Sequence, residues 1–122
     1  RVVFCGYTDA VERYLSAMDV YILPSHREGF GSAVVEAEAM SVPVIVTDIP
    51  GLNEAMIPDE TGIIVKKADV DSLLSAMLRI KEDAHMRVQF AQSAYKFATE
   101  RFEQTELAKR ILEDRKRLMN LV

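Results

Sequence analysis

Four short runs, Val2–Cys5, Val20–Leu23, Val44–Val46 and Ile63–Val65, are apolar at consecutive positions. A strand with one wet face alternates polar and apolar residues. Runs without alternation belong to strands covered on both faces, as parallel strands are in open α/β sheets. Segments of helix length separate them. A first helix fits Ala10–Met18, with Asp9 and Glu12 spaced as a capping box; a second fits Ala33–Met40, opened by Gly31-Ser32 and closed before Pro43. Leu52–Met56 allows only a short turn of helix. The order strand, helix, strand, helix, strand, turn, strand predicts an α/β fold, an open parallel sheet with right-handed crossovers.

Beyond Val65 the pattern is wholly helical. Asp69 is placed to cap a helix whose Val70, Leu73, Leu74, Met77 and Leu78 form one apolar stripe, and a second helix carries Phe90, Ala91, Ala94, Phe97 and Ala98. Both are expected to pack on the sheet. A last helix over Gln104–Met119 gathers Leu107, Ala108, Ile111, Leu112, Leu118 and Met119 on one side. Its other side holds Lys109, Arg110, Arg115, Lys116 and Arg117, which suits solvation first, and an anionic lipid surface (a peripheral membrane contact) or a partner domain second.

A chain of 122 residues, 49% apolar, is long enough for one core. Its longest apolar stretches, Val20–Pro24 and Val42–Val46, fall far short of the ~20 residues needed to cross a bilayer. The chain opens inside a strand-like run without an initiator Met, as expected of a fragment of a longer protein. A single cysteine, Cys5, sits in that run and reads as a small buried hydrophobe in a reducing, cytoplasmic setting. The net charge of -4 argues against a nucleic-acid footprint. That charge is unevenly spread: through Gly62 there are 3 basic and 10 acidic residues, and after it 12 basic and 9 acidic.

The stretch that carries chemistry is Pro24-Ser25-His26-Arg27-Glu28-Gly29-Phe30-Gly31-Ser32-Ala33-Val34-Val35-Glu36-Ala37. It lies between a strand and the following helix, where open α/β sheets bind ligands. Gly29 and Gly31 let the backbone approach a ligand, and the helix beginning near Ser32 offers free N–H groups to an anion. Glu36, about one turn into that helix, suits a vicinal diol such as that of ribose, since a carboxylate accepts two hydrogen bonds. Glu28, before the glycines, suits a sugar or a reacting anomeric carbon. The bland alternative makes Glu28 a solvated loop residue and gives Glu36 a dipole contribution of ~0.3 to 1 kcal/mol.

Glu28-Gly29-Phe30-Gly31 followed by Glu36 resembles the glutamate-x7-glutamate signature of retaining GT-B glycosyltransferases of family 4. The likeness runs along nearly the whole chain, through Phe4-Cys5-Gly6-Tyr7, Met18–Ser25, Pro43–Asp48, Gly51, Glu54 and Thr61–Val65. It implies a Rossmann-like open parallel sheet with C-terminal helices. Residues 1–122 would form part of a nucleotide-sugar-binding domain, whose first strands, with their cationic pair, and whose partner acceptor domain would lie outside this chain. In such enzymes a sugar passes from a nucleotide diphosphate sugar to a hydroxyl acceptor with retention of configuration, generally without a divalent metal or other cofactor. By the same resemblance Glu28 is the catalytic residue beside the donor sugar. Gly29, Phe30, Gly31 and Ser32 hold sugar hydroxyls and phosphate through their backbone amides, and Glu36 grips the ribose. Ser32 departs from the large aliphatic common at its position and is expected to cap the helix or to donate to a phosphate. Cys5 and Glu103 also depart from the pattern, without removing a motif residue.

A single helix terminus is a weak holder for a diphosphate flanked by two carboxylates. Two charges 4 Å apart interact by ~4 kcal/mol at an effective dielectric near 20, against ~2 kcal/mol at best for a helix end. The cations must come from elsewhere, so the chain alone is expected to be inert. A non-catalytic assembly or regulatory module is the main alternative; a glycoside hydrolase would need the two carboxyls ~5 to 9.5 Å apart across a sugar-sized cleft. Either Val2–Cys5 pairs directly with Val20–Leu23 in a contracted sheet or the apolar edge of Val20–Leu23 stays open; the open edge, with the apolar stripe of the last helix, leads to the expectation that the chain associates with itself or with another chain.

Overall fold

The computed structural model describes residues 1–103 together with Glu113 and Arg117. Its elements are α1 (Val11–Leu15), β1 (Tyr21–Leu23), α2 (Ser32–Ala39), β2 (Val44–Thr47), β3 (Gly62–Val65), α3 (Val70–Glu82) and α4 (Ala84–Phe102). The last helix expected over 104–119 falls outside the described residues, apart from Glu113 and Arg117. No helix among the described residues is long and apolar enough to cross a membrane.

Three strands form one parallel sheet in the order β1-β2-β3, with Ile22 opposite Ile45 and Ile45 opposite Ile63. The four residues of β2 are all buried. Tyr21, Leu23, Val44 and Val46 face a cluster with Val34, Ala37, Leu52 and Ala55 on the α2 side. Ile22, Ile45, Ile63 and Val65 face Leu73, Ala76, Ile80 and Phe90 on the other. Each helix layer removes one face of the strands from water, which is why the sequence runs lack alternation. The first half of α4 joins the α3 layer through Met86 and Phe90; α4 also packs along α2.

The fourth expected strand, Val2–Cys5, is not a strand here. Val2 and Phe4 are 79% and 96% exposed, and Cys5 is exposed rather than buried. A strand forms only where a neighbour completes its ladder, and no described strand lies beside this run. Of the two arrangements expected for the sheet, the open edge is the one found. Tyr21 N–H donates to the Pro43 carbonyl at 2.9 Å, so Tyr21 and Leu23 turn their backbone groups toward β2. Val20 and Ile22 turn theirs to the free edge.

Helix ends follow local chemistry only in part. Asp69 caps α3 by accepting from Ser72 N–H at 2.9 Å, as expected, and Asp83 does the same for α4 from Met86 N–H at 2.8 Å. The expected Asp9–Glu12 box does not form: α1 is shorter, Ala10 is its cap, and the Thr8 hydroxyl accepts from Ala10 N–H at 3.0 Å. The stripe expected on α3 is rotated. Leu73, Ala76 and Ile80 face the sheet, whereas Val70, Leu74, Met77 and Leu78 are exposed. Those last three overhang the open β1 edge, where with Val20, Ile22 and Arg87 they line a groove of about 390 Å³. Leu52–Met56 is a turn, closed by Ala55 N–H to the Leu52 carbonyl at 3.1 Å.

Two features of α2 carry energetic cost. Ser41, just past its end, holds φ +61 while Val42 N–H reaches back to the Ala37 carbonyl at 3.0 Å. This left-handed closure favours glycine. Ser41→Gly should therefore raise stability by about 0.5 to 1 kcal/mol, seen as a rise in melting temperature. Glu38 is fully buried with neither carboxylate oxygen hydrogen-bonded among the described residues. Burial pushes its carboxyl up to about 8, and the neighbouring Thr61 hydroxyl, engaged with the Ile57 backbone, offsets this only in part. A carboxyl raised on folding favours the folded state while it stays protonated, so that stability is lost as pH rises toward 8. Replacement by Gln removes the titration. The stability of Glu38→Gln relative to the parent should climb between pH 5 and 8, by at most about 4 kcal/mol, in denaturant titrations across that range.

Candidate functional site

The site grows from the carboxyl end of β1. The chain leaves the sheet at Pro24, crosses a loop through Glu28, and enters α2 at Ser32. Thr47, buried at the end of β2, donates to the Leu23 carbonyl at 3.4 Å and ties the two strand ends together. Ser25 donates from its hydroxyl to Glu28 Oε1 at 2.9 Å, so the half-buried Glu28 carboxylate is oriented from within its own loop.

Glycines set the loop's path, each differently. Gly31 is the residue before α2 and adopts φ +74; a Cβ there would come within 2.7 Å of Leu52 Cδ2. Gly51, at φ +91, lies so close to the Gly29 carbonyl that a Cβ would collide with it. Gly29 itself faces open space. Two of the three are therefore required by the protein's own packing, and only Gly29 is free to serve an incoming molecule. Gly31 also takes the cap position expected of Ser32, which becomes the first, exposed residue of α2 with no side-chain capping bond.

Among the described residues, the N–H groups from Gly29 to Ala33 have no acceptor, while Val34 N–H already bonds the Gly31 carbonyl at 2.9 Å. A run of free donors thus surrounds the positive end of α2. Glu36 is exposed one turn along the helix. Burial first, then the negative charges of Glu28 and Glu36, push the Tyr21 phenol above the usual tyrosine value. The Tyr21 ring packs on the α2 face of the sheet. The groove of about 390 Å³ at the β1–α3 edge has neither glutamate in its lining. Phe30, between the glycines, is 46% exposed and turns its ring onto Phe102 at the end of α4.

Arg27 and His26 are both exposed. His26 borders a small cavity of about 180 Å³ with Pro24, Thr47 and Lys66, and His85 lies on the α4 surface as expected. Among the described residues no group of three metal-ligating side chains converges. Sequence reasoning missed Ser25, Tyr21 and Phe102. The first was detectable as a hydroxyl three residues before Glu28; the other two depend on chain segments brought together by folding.

Residues 1–97 match the family of glycosyl transferases group 1. The chain belongs to that family. It is 33% identical over 102 residues to the capsular polysaccharide biosynthesis glycosyltransferase CapM of Staphylococcus aureus, an alignment that covers 84% of this chain and 27% of the relative. Among solved structures, it superposes on sucrose-phosphate synthase from Thermosynechococcus elongatus with a TM-score of 0.93 at 30% identity, covering 100% of this chain and 31% of that one. Anabaena HepE, crystallised with UDP, gives 0.92 at 24% identity, over 95% of this chain and 32% of that protein. The chain thus spans about a quarter of the length of the curated relatives it matches. These structures share its parallel sheet and flanking helices, so the α/β, Rossmann-like fold of the GT-B type expected from the sequence is the one it has.

Stability measurements separate the glycines of this glycosyltransferase segment. Gly31→Ala should cost at least about 1 to 2 kcal/mol from its left-handed backbone alone, plus the contact with Leu52. Gly29→Ala should stay within about 0.5 kcal/mol of the parent in urea unfolding.

Proposed function

We propose that this chain is the donor-binding part of a retaining glycosyltransferase of family 4, whose parent enzyme transfers a sugar from a nucleotide diphosphate sugar to a hydroxyl acceptor. The observation that carries the reading is the arrangement around α2: free amides from Gly29 to Ala33, with Glu28 before them and Glu36 after. A diphosphate accepts hydrogen bonds from the amides, the ribose diol donates to Glu36, and Glu28 reaches the donor sugar beside its leaving group. Ser25 serves Glu28 by holding its carboxylate in one orientation. Ser32, relieved of capping, is free to donate its hydroxyl to a phosphate oxygen. Membership of the glycosyl transferases group 1 supports the reaction class. So does a relative, 31% identical over 88 residues, that bears the name of an Escherichia coli galactosyltransferase using UDP-Gal.

Electrostatics argue that the chain binds weakly by itself. Residues 1–62 contain 3 basic residues against 10 acidic, and Arg27 is the basic one within the motif loop. The negative charges of Glu28 and Glu36 oppose an arriving diphosphate unless further cations accompany it. In the parent enzyme those cations come from outside this segment, and the glutamates then act on the sugar and ribose without repelling the nucleotide.

Titration with uridine, adenosine and guanosine diphosphates tests the site. One of the three should bind weakly to the chain, and Glu36→Ala should lower that affinity at least tenfold. In the parent enzyme Glu28→Gln should reduce kcat by 100-fold or more with a small change in donor affinity. Nucleotide affinity that ignores Glu36, or equal effects of both substitutions on kcat and KM, would exclude these roles.

A further inference from the structure

Phe30 sits in the middle of the amide run, and its ring is held from a distant part of the sequence. Its centroid lies 5.4 Å from that of Phe102 with the rings 69° apart, an edge-to-face contact. Phe102, the last residue of α4, meets Phe97 in the same manner at 5.5 Å and 84°. The Arg101 guanidinium stands 5.6 Å from the Phe97 ring centre and 5.8 Å from that of Phe102. Three rings and one cation thus form a chain of contacts from the end of α4 to the loop before α2.

Beyond the Ser25–Glu28 hydrogen bond, the loop's other restraints are close packing contacts. Gly31 is fixed by its backbone conformation and by Leu52, and the Gly29 carbonyl abuts Gly51. Between them the N–H groups of Gly29, Phe30 and Gly31 have no acceptor among the described residues. Free amides present a ligand with a defined set of donors only if something else holds their planes. The Phe30 side chain is the remaining handle, and Phe102 grips it.

We infer that Phe102 is a positioning residue for the donor loop: its ring, steadied by Phe97 and Arg101, draws the Phe30 side chain onto α4 and so aims the Gly29–Ser32 amides at the space beside Glu28. This rests on the donor-binding reading above and adds that the end of α4, which contributes no donor contact in that reading, sets nucleotide affinity. Without the grip, Phe30 is free to swing over its flanking glycines and the amides no longer converge.

Backbone ¹⁵N relaxation and uridine diphosphate titration of the full 122-residue chain test the inference together. Order parameters of the Gly29–Ser32 amides should fall from about 0.85 in the parent to below about 0.6 in Phe102→Ala, with nucleotide affinity lower by tenfold or more. Phe102→Tyr, which keeps the edge-to-face contact, should restore both. Phe90→Leu, a change in the core remote from the loop, should lower the melting temperature and leave both readouts in place. Unchanged order parameters in Phe102→Ala overturn the inference, as does a loosened loop with unchanged affinity, or an equal response to Phe90→Leu. Absence of nucleotide affinity in the parent chain counts against the donor-binding reading instead, and the order parameters then decide by themselves whether Phe102 holds the loop.

Discussion

Burial of β2 on both faces is the constraint from which the rest of the domain follows. Val44, Ile45 and Val46 are completely buried and Thr47 nearly so, which requires a helix layer on each side and a strand on each edge. Side chains alternate across the sheet, so Val44 and Val46 must meet α2 while Ile45 meets α3 and α4. Fully burying each of these aliphatic side chains is worth about 1.5 to 3 kcal/mol, whereas displacing either helix would expose a whole row. Gly62 shows how tightly the ladder closes: a Cβ there would strike the Val44 carbonyl.

That constraint also creates the site. Parallel strands all end on the same edge, so the connections after β1 and β2 leave the sheet there. The β1 connection turns into α2 through Gly31, and the β2 connection returns through Gly51 against the Gly29 carbonyl. The amides around Phe30 are free because the loop is held by packing, by glycine geometry and by rings. Hydrogen bonds that fixed the same loop would have consumed the donors a ligand needs. Ser25 orients Glu28 without using any of them.

The cost of the arrangement falls on α2 and on the sheet edge. Glu38 is buried without a hydrogen-bond partner among the described residues, and Ser41 occupies a conformation that suits glycine. At the β1 edge, the backbone groups of Val20 and Ile22 have no partner strand among the described residues and lie beside the exposed Leu74, Met77 and Leu78. A surface of this kind favours contact with further chain or with another molecule. It lies on the α3 side of the sheet, apart from the α2 side that carries Glu36 and the motif loop.

What the sequence determined by itself was local or periodic. The unalternating runs at Val20–Leu23, Val44–Val46 and Ile63–Val65 announced strands buried twice over, Asp69 announced the start of α3, and Glu28-Gly29-Phe30-Gly31 followed by Glu36 announced a loop opening a helix. Tertiary structure decided the rest. Val2–Cys5 has a strand's composition, yet a strand is a property of a pair, and no described neighbour completes its ladder. The α3 stripe was misread because periodicity reports which residues are apolar, not how far the sheet extends beneath them; β1 ends the sheet, so Leu74, Met77 and Leu78 overhang it. Ser32 looked like a cap until the left-handed turn at Gly31 took that place. The effect of Glu28 and Glu36 on Tyr21 and the contact of Phe102 with Phe30 were invisible for a simpler reason: interactions between residues far apart in the chain leave no spacing pattern, and only the folded backbone brings them together.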